Sequence, residues 1–511
     1  MPILNWLNKE QAVTTARNCP YRLLEEMPEL SYGEKNTDNM LIQGDNLEAL
    51  KALIPTHAGR IKCIFIDPPY NTKSAFEHYD DNLEHSKWLT MIYPRLELLH
   101  QLLAEDGSIW ITLDDSESHY MKIICDELFG RANFIANSIW QKKYTISNDA
   151  KWLSDSHDHL IIYAKNKEIW RPYPLERTAD MDKRYTNPDK HPKGVWKSTP
   201  LYAKRKASEK ELEFTYTFKN GYEWTPPLGN SPRFPEYKLK EMDDNNEIWF
   251  GVKGDAGPSR KTFLNELKKS GTPSSTIWLH SEAGHNHEAR EEVKSFDKAD
   301  AFSTPKPERL IKRVFDLATK SGDLVLDSFL GSGTTAAVAQ KMNRKFIGIE
   351  LGDHAVTHCQ PRSQKVVDGE QGGISKKVNW QGGGGFKFYR LGEVIFNENG
   401  SLKEGISFDA LAAHIWYGDT RNPLEQKEKS PLLGVHNGVA FYLLYNGILG
   451  DKRPDGGNVL TSKVLAILPE HPLDSENGKK VIYGETSRMG EARLKSENII
   501  FKQIPYDVRG R

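Results

Sequence analysis

The apolar run Ile61–Ile66 is the segment that most constrains the fold. Its β-branched and aromatic residues are typical of a short strand that is buried on both faces. Around it, short apolar runs alternate with segments of helical periodicity. The predicted strands are 39–42, 107–113, 133–140 and 159–164, and the predicted helices are 47–54, 86–104 and 116–129. This alternation predicts an α/β fold with a doubly wound, mostly parallel sheet.

The alternation stops near residue 165 and resumes near residue 305. Between these points the chain is polar, aromatic and rich in Pro and Gly, and afterwards it continues with a helix at 306–319, a strand at 323–327, a helix at Thr334–Lys341 and a strand at Lys345–Glu350. A chain of 511 residues is too long for one ordinary core. We predict an α/β domain from residues 1–165 and 301–360, an inserted module at 166–300, a linker of low order at 361–385 and a C-terminal α+β module at 386–511. The strands predicted in this last module are 386–391, 440–445, 464–468 and 480–483.

Composition excludes several classes of protein. The chain is 38% hydrophobic and 27% charged, with a net charge of −1, as expected of a globular protein without a global preference for nucleic acid. No stretch approaches the roughly 18 apolar residues of a membrane helix, and the N-terminus lacks a signal sequence, so a cytoplasmic protein without membrane contact is expected. The four cysteines form no CxxC pair. His354 and His358 precede Cys359 without a second ligand pair, so we expect no metal site.

The tetrapeptide Asp67-Pro68-Pro69-Tyr70 follows the run Ile61–Ile66 directly. Open α/β sheets place their sites at the carboxyl ends of strands. There a carboxylate and a rigid proline carbonyl can accept hydrogen bonds from an amino group, and a tyrosine ring can stack on a planar base. A stiff turn without function is the alternative, and the tetrapeptide alone does not decide between the two.

A second motif follows the predicted strand 323–327. It runs Asp327-Ser328-Phe329-Leu330-Gly331-Ser332-Gly333-Thr334, and Glu350 ends the next strand. Glycines allow the backbone to approach a ligand closely, and a carboxylate at the end of the next strand can bind both hydroxyls of a ribose. Thr334 stands where a P-loop has lysine, so triphosphate hydrolysis is not expected. A dinucleotide site, an S-adenosylmethionine site and a structural turn remain open on these residues alone.

Together the two motifs resemble the amino-methyltransferases of DNA. Because Asp-Pro-Pro-Tyr precedes Phe-x-Gly-x-Gly, the chain is similar to the β-class of these enzymes. The stretches 67–79, 304–310, 382–391 and 501–508 further resemble the Mod subunit of Type III restriction–modification systems. The resemblance implies a Rossmann-like methyltransferase sheet, a target recognition region at 166–300, and methyl transfer from S-adenosylmethionine to the exocyclic amine of a base flipped out of double-stranded DNA.

The resemblance also implies roles for single residues. The catalytic residues would be Asp67, Pro68, Pro69 and Tyr70. The cofactor-binding residues would be Asp45, Lys306, Asp327, Phe329, Gly331, Gly333, Thr334 and Glu350. Within this set, Asp45 would contact the adenine amino group of the cofactor or only cap the following helix, and Lys306 would bind the methionine carboxylate.

Several functional alternatives remain open. Asp rather than Ser before Pro-Pro-Tyr favours adenine N6 over cytosine N4, and no Pro-Cys dipeptide supports a 5-methylcytosine mechanism. The other hypotheses are a DNA-binding specificity subunit whose methylation is dispensable and a nicotinamide-dependent dehydrogenase that uses the Gly331 loop.

The basic part of the predicted recognition region supplies candidate phosphate contacts. These are Lys193, Lys197, Lys204, Arg205 and Lys206. Trp196 and Tyr202, which lie among them, are more often core residues than stacking platforms. The family resemblance also implies a homodimer and a Res partner, an ATP-dependent restriction subunit.

Overall fold

The computed structural model describes most of the chain, namely residues 3–72, 84–148, 150–206, 208, 211, 213–267, 271–294, 304–397, 401–425, 429–472, 477–504, 506 and 508. Within these ranges, every helix is too short or too polar to span a lipid bilayer. The chain divides into two compact units, which are Met1–Tyr173 with Ser275–Arg511, and Pro174–Ser274.

The first unit begins with alternating strands and helices. Its strands are β1 Arg22–Glu26, β2 Tyr32–Gly33, β3 Met40–Gln43, β4 Ile61–Ile66, β5 Leu103–Leu113, β6 Phe134–Gln141 and β7 His157–Ala164. Its helices are α1 Lys9–Asn18, α2 Asn46–His57, α3 His85–Leu102 and α4 Ser118–Cys125, and a π-helical turn at Asp126–Gly130 and a 3₁₀ turn at Arg131–Asn133 continue α4.

The second unit is made of short elements. Its strands are β8 Leu175–Glu176, β9 Trp196–Pro200, β10 Tyr202–Ala203, β11 Tyr216–Thr217, β12 Glu223–Trp224, β13 Ser231–Pro232, β14 Ile248–Trp249, β15 Ser259–Phe263 and β16 Gly271–Thr272. Its helices are α5 Ala179–Asp182 and α6 Glu236–Asp244. A core of Leu201, Phe218, Trp224, Leu239, Met242 and Ile248 holds them together. Trp196 is buried against Trp249, as expected of a core residue.

The first unit then resumes. Its further strands are β17 Ile277–Trp278, β18 Leu324–Asp327, β19 Lys345–Glu350, β20 Gly385–Val394, β21 Leu432–His436, β22 Val439–Leu443, β23 Val459–Leu460, β24 Lys479–Gly484, β25 Thr486–Ser487 and β26 Ile499–Gln503. Its further helices are α7 His280–Ala283, α8 Asn286–Lys294, α9 Glu308–Ala318, α10 Thr334–Lys341, α11 Gln360–Val367, α12 Ser375–Val378, α13 Phe408–Thr420, α14 Ser462–Leu465 and α15 Glu491–Ser496, with a π-helical turn at Ala355–Cys359 before α11.

One large sheet organises the first unit, in the order β1-β20-β3-β19-β18-β4-β5-β7-β6-β17, with β2 paired to β20. The pairs from β20 through β3, β19, β18 and β4 to β5 are parallel, whereas β7 is antiparallel to both β5 and β6. The predicted doubly wound, mostly parallel α/β sheet is therefore confirmed. Strands β18 and β19, which follow the second unit in sequence, lie between β3 and β4.

The two faces of β4 are covered by different helices. Ile64 and Ile66 join one cluster with residues of α1 to α4, including Leu50, Leu96 and Met121. Cys63 and Phe65 point to the opposite face, where α9 and α10 lie, and are equally buried. Burial on both faces explains why this strand has an almost continuously apolar sequence.

The second unit is narrower than the module predicted at 166–300. Residues 166–173 and 275–294 belong to the first unit, where Ile277 and Trp278 pair in parallel with Ile139 and Trp140 of β6. A strand of two residues is too short to give a periodic signal. The amino-acid composition of this region therefore indicated that a module is inserted, but it did not indicate the residues at which the module begins and ends.

The predicted linker of low order at 361–385 is wrong. It begins inside α11 and includes α12, and the Trp380 indole donates a hydrogen bond to the Val366 carbonyl at 2.8 Å. Pro361 breaks no helix here, since it lies in the first turn of α11, directly after the π-helical turn Ala355–Cys359.

Two predictions for the C-terminal module need correction. The strand predicted at 386–391 is confirmed as part of β20, but it pairs with β3 and β1 and so belongs to the large sheet rather than to the C-terminal module. The strand predicted at 464–468 is instead largely α14 and the turn after it, because Thr461 accepts a hydrogen bond from the Val464 amide and caps a helical turn. The remaining strands form a separate sheet in the order β21-β22-β24-β26, beside a helix, α13, at 408–420.

Candidate functional site

The carboxyl ends of β3, β4, β5, β18 and β19 meet at one edge of the sheet, because these strands run parallel to one another. A cavity of about 550 Å³ opens at this edge. The predicted site residues that line it are Asp67, Pro68, Pro69, Tyr70, Lys306, Asp327, Phe329, Gly331 and Thr334. The two sequence motifs, which are more than 200 residues apart, therefore share one cavity.

Asp67 is held by two donors. The Thr112 hydroxyl donates to Oδ1 at 2.6 Å, and the Lys306 ammonium donates to Oδ2 at 2.6 Å. Thr112 is buried in β5, the strand beside β4, so its position is fixed by the sheet. Lys306 was predicted to bind the methionine carboxylate of a cofactor, whereas here its ammonium lies on the candidate catalytic carboxylate.

Tyr70 closes one side of the cavity. Its hydroxyl donates to Asp158 Oδ2 at 3.2 Å, and Asp158 in turn pairs with Lys142 at 2.7 Å. The Lys306 ammonium lies 5.0 Å from the centre of the tyrosine ring. Burial, followed by the charge of Asp158, raises the pKa of Tyr70 well above its ordinary value, so this residue is a neutral hydrogen-bond donor at any physiological pH.

The prolines between these residues hold the backbone in place. The Pro69 carbonyl accepts a hydrogen bond at 2.7 Å from the indole of Trp88, which is fully buried in α3. The turn after β4 is thus tied to the helix that packs beneath it.

The glycine loop at 327–334 forms the opposite wall. Gly331 donates its amide to Glu350 Oε2 at 2.7 Å, and Phe329 donates its amide to Asp327 Oδ1 at 3.0 Å. Gly333 has a φ of 80° and precedes α10 directly. Burial raises the pKa of Asp327 to about 7. The loop is shaped by these two carboxylates, and Glu350 lies behind it rather than in the lining of the cavity.

A buried ionic cluster connects this loop to the segment that carries Lys306. Glu308 accepts hydrogen bonds from Arg362 at 3.0 Å and from Lys341 at 2.8 Å, and the other face of Arg362 donates to Thr334 Oγ1 at 2.9 Å. Although burial alone would raise it, the charges of Arg362 and Lys341 lower the pKa of Glu308. Lys306 and Glu308 therefore connect one short segment to two walls of the cavity, since Lys306 contacts Asp67 and Glu308 contacts the glycine loop through Arg362.

Asp45 lies at the end of β3, outside the lining of the cavity. It caps α2 by accepting a hydrogen bond from the Leu47 amide at 2.8 Å, and it pairs with Arg95 at 3.0 Å. Its neighbour Asn46 donates to the Ser328 carbonyl at 2.7 Å. The capping interpretation accounts for these contacts, and a contact between Asp45 and a cofactor stays a prediction.

Comparison with known proteins agrees with this geometry. The family model described as DNA methylase, which comprises N6 and N4 methyltransferases, matches residues 61–360. That range contains both motifs and more than half of the chain. The chain belongs to this DNA methylase family.

Its curated relatives include Mod subunits of Type III systems. The chain is 34% identical to the probable HindVI Mod subunit of Haemophilus influenzae over 71% of its own length and 54% of that protein. It is 33% identical to the EcoPI Mod subunit of Escherichia phage P1 over 68% of its own length and 62% of that protein. The chain thus spans between about half and two thirds of the length of these relatives.

Solved structures of DNA methyltransferases are also similar. The cytosine-N4-specific PvuII DNA methyltransferase matches 67% of this chain and 93% of its own at 15% identity, with a TM-score of 0.35. The M1.HpyAVI–SAM complex matches 63% of this chain and 98% of its own at 13% identity, with a TM-score of 0.31.

Three residues of the candidate site were missed by sequence reasoning. They are Thr112, Lys142 and Asp158, which hold Asp67 and Tyr70 in place. The sequence signal that could have identified them is a polar residue inside or beside an apolar run. Thr112 in β5 and Asp158 in β7 are such residues. Such residues are also common without any function, so the signal does not identify them.

The predicted DNA-contacting residues of the DNA methylase lie in the second unit and differ in their surroundings. Lys193 pairs with Glu247 and Glu266 at 2.7 Å each, and Arg205 pairs with Glu211. Lys197 lies 5.2 Å from the ring of Tyr185. Lys204, Arg205 and Lys206 are exposed. All five stay predictions, and acidic neighbours already neutralise Lys193 and Arg205.

A histidine cluster lies beside the site and was not predicted from sequence. Asp115, His157 and His159 bring three possible metal-ligating atoms within 4.8 Å of one another. Asp115 Oδ1 lies 2.7 Å from His159 Nε2, and the Asn137 amide lies 2.9 Å from His159 Nδ1. These hydrogen bonds account for the orientation of His159 without an ion. The pair considered from sequence, His354 and His358, has ring centroids 5.0 Å apart.

Proposed function

We propose that this chain transfers a methyl group from S-adenosylmethionine to the N6 amine of an adenine flipped out of double-stranded DNA. In this role it would be the modification and specificity subunit of a Type III restriction–modification system. The observation that carries the proposal is Asp67, an oriented carboxylate in a cavity shared with the glycine loop 327–334 of a DNA methylase.

The candidate catalytic residues suit an aromatic amine. Such an amine is a weak nucleophile because its lone pair is delocalised into the ring. If Asp67 and the Pro68 carbonyl accept its two N–H bonds, the nitrogen moves toward sp³ geometry and its lone pair becomes available. As the nitrogen–methyl bond formed, the methyl–sulfur bond of the donor would break with its electron pair left on sulfur, and the nitrogen would lose a proton to this acceptor pair or to water. Rate enhancement then comes mainly from orientation and from electrostatic stabilisation.

Thr112 and Lys306 act as positioning residues in this scheme. Because each oxygen of Asp67 accepts a hydrogen bond from a different donor, the carboxylate is fixed in one orientation. The carboxylate therefore needs little reorganisation when the amine binds. Each oxygen of Asp67 keeps a further lone pair, so this carboxylate in the cavity lining can still accept one N–H bond of the amine. Tyr70, fixed through Asp158, offers its ring to the extruded base.

S-adenosylmethionine supplies an electrophilic methyl group on its sulfonium. The glycine loop, with Phe329 and Gly331 in the cavity wall, fits the methionine and ribose parts of this cofactor. Glu350, at the end of β19, supports the loop from behind by accepting the Gly331 amide, and its role toward the ribose hydroxyls rests on the family resemblance alone. Lys306 lines the same cavity, so its ammonium, which has three donors, can attract a methionine carboxylate while it stays on Asp67.

The assembly that we propose is supported by the relatives and by the family resemblance rather than by the site. Type III Mod subunits are named as parts of restriction–modification enzymes, and the chain matches several of them over more than 60% of its length. We therefore propose a homodimer that pairs with a Res subunit in the cytoplasm, with the second unit, residues 174–274, reading the target sequence.

Methylation of DNA by the purified chain tests the proposal directly. Duplex DNA incubated with tritiated S-adenosylmethionine should acquire label, and single-molecule sequencing should place N6-methyladenine at one sequence. The variant Asp67→Ala should lose methylation while retaining most DNA binding. A matched control is Asp106→Ala, which removes an exposed carboxylate paired with Lys62.

Each outcome has a clear meaning. Methylation of cytosine N4 would change the target base but leave the chemistry intact. Full activity of Asp67→Ala would remove the catalytic assignment. DNA binding by the wild-type chain without methyl transfer would favour a specificity subunit, and stabilisation by NAD instead of S-adenosylhomocysteine would favour a dehydrogenase.

A further inference from the structure

The rim loop, residues 142–156, connects β6 to β7 and carries an unusual number of exposed apolar side chains. Trp152 is 84% exposed, Leu153 is 93% exposed, Ile146 is 80% exposed and Tyr144 is 56% exposed. Large apolar residues scattered singly on a surface need no explanation, but several within one loop indicate an interaction site.

Internal hydrogen bonds shape this loop. The Lys143 amide donates to the Ser156 carbonyl at 3.3 Å, and the Ser147 amide donates to Ser154 Oγ at 2.9 Å. These bonds cross the loop near its base and close to its tip. The exposed side chains therefore belong to a loop whose two described sides, 142–148 and 150–156, are joined by hydrogen bonds.

The base of the rim loop forms part of the candidate active site. Lys142, Lys143 and Asp155 line the same cavity as Asp67. The Lys142 ammonium pairs with Asp155 and with Asp158 at 2.7 Å each, and Asp158 accepts the hydrogen bond from Tyr70. The base of the rim loop therefore borders the cavity that contains Asp67.

The charge of the rim loop favours a polyanionic partner over a second protein surface. Lys143 and Lys151 are exposed near the apolar residues, and the Lys151 ammonium lies 5.4 Å from the Trp152 ring. Of the two acidic residues in this segment, Asp155 is neutralised by Lys142, and with Asp149 counted the three lysines still leave a net charge of +1. Exposed aromatic and aliphatic side chains flanked by lysines are the combination with which proteins part stacked bases while contacting phosphates.

We propose that the rim loop enters the DNA duplex beside the target base, and that Trp152 stacks in the space which the extruded base leaves. This inference rests on the proposed function and adds the element that stabilises the extruded state. Extrusion loses the stacking and pairing of one base, and an inserted indole restores stacking with the two neighbouring base pairs. Tyr70 would then stack on the base inside the cavity, while Trp152 would fill the space that the base leaves in the duplex.

The test uses the full chain and a duplex that contains its mapped methylation site. One substrate has the target adenine paired with thymine, and a second has an abasic position opposite that adenine, which removes the pairing lost on extrusion. We expect Trp152→Ala to lower kcat/KM on the paired substrate by roughly 10-fold or more. On the abasic substrate the loss should be several-fold smaller, and Trp152→Phe should restore most activity on both.

A readout independent of catalysis accompanies the kinetics. With 2-aminopurine at the target position and S-adenosylhomocysteine bound, wild-type protein should raise the fluorescence on binding, and Trp152→Ala should reduce this rise. The control is Ile467→Ala, which removes a similarly exposed apolar side chain from the C-terminal part of the chain and should change neither signal.

The outcomes separate this inference from the proposed function. Absence of methylation by the wild-type chain would overturn the proposed function itself. With wild-type activity present, an unchanged Trp152→Ala variant, or one impaired equally on both substrates, would overturn the insertion of Trp152. A changed oligomeric state of Trp152→Ala with unaltered fluorescence would likewise overturn it, because the loop would then be a protein interface.

Discussion

The ammonium of Lys306 and the carboxylate of Asp67 form an ion pair of 2.6 Å at the centre of the cavity, although 238 residues lie between them in the chain. Lys306 precedes α9, and Asp67 follows β4. Their side chains are 9% and 21% exposed, so each depends on the other for most of its charge compensation. The pair therefore ties the segment 304–310 to the candidate catalytic motif.

Replacing Lys306 with methionine should test this pair. The variant Lys306→Met removes the charge at similar length, so we expect kcat to fall by roughly 100-fold and the free energy of unfolding to fall by about 3 kcal/mol. Steady-state kinetics and denaturant unfolding measure the two effects. In a double-mutant cycle, Asp67→Asn with Lys306→Met should recover part of the stability, and strictly additive losses would show that the two residues do not interact.

Thr112 should affect turnover without affecting binding. The variant Thr112→Val keeps the shape of this buried residue but removes the hydroxyl that donates to Asp67 Oδ1 at 2.6 Å. We expect kcat to fall by roughly 10- to 100-fold, since the hydrogen bond is made to a charged group, while KM for DNA stays nearly constant. Thr14→Val, on the exposed side of α1, is the control. A change confined to KM would contradict the positioning role.

Asp327 should make stability depend on pH. Burial raises its pKa from 3.8 to about 7, so the folded chain binds a proton that the unfolded chain releases between these values. The contribution of Asp327 to stability is therefore complete below about pH 4 and falls by about 1.4 kcal/mol per pH unit up to about pH 7. Melting temperatures of the wild type and Asp327→Asn, measured between these limits, should diverge as the pH rises, with the variant the more stable at neutral pH. Parallel curves would show that Asp327 is ionised throughout.

Gly333 should not tolerate a side chain. Its φ of 80° is unfavourable for other residues, and a Cβ atom there would lie 3.2 Å from the Cys359 Cα atom. We expect Gly333→Ala to destabilise the chain by about 1–2 kcal/mol and to weaken the binding of S-adenosylmethionine, measured by calorimetry. Gly418→Ala is the matched control, because Gly418 lies within α13 with open space around it and should gain stability from the helix propensity of alanine.

Much of the central sheet was predictable from sequence because its elements have strong local signals. The strand Ile61–Ile66, the helix Thr334–Lys341 and the strand Lys345–Glu350 have the predicted bounds. The α/β alternation and the rule that sites lie at carboxyl ends of strands were enough to bring Asp67 and the glycine loop together.

The partners of the site residues were not predictable in the same way. Thr112 and Lys306 lie beside Asp67 because of the order of the strands in the sheet. That order depends on the pairing of β5 and β18 with β4. The placement of β20 beside β3 likewise depends on long-range pairing, and the alternating pattern of residues 386–391 suits any sheet. Local sequence determines what each segment can form, whereas the neighbours of that segment depend on the whole chain.

The position of β18 and β19 between β3 and β4 has a consequence for synthesis of the chain. Until residues 324–350 emerge from the ribosome, β4 lacks its neighbour on one side and β3 has none of its strand partners. The first 165 residues therefore carry a gap two strands wide, with unpaired edges that favour association with other chains. The second unit is completed while this gap is still open, so the site that would modify DNA forms after the part of the chain that would read it.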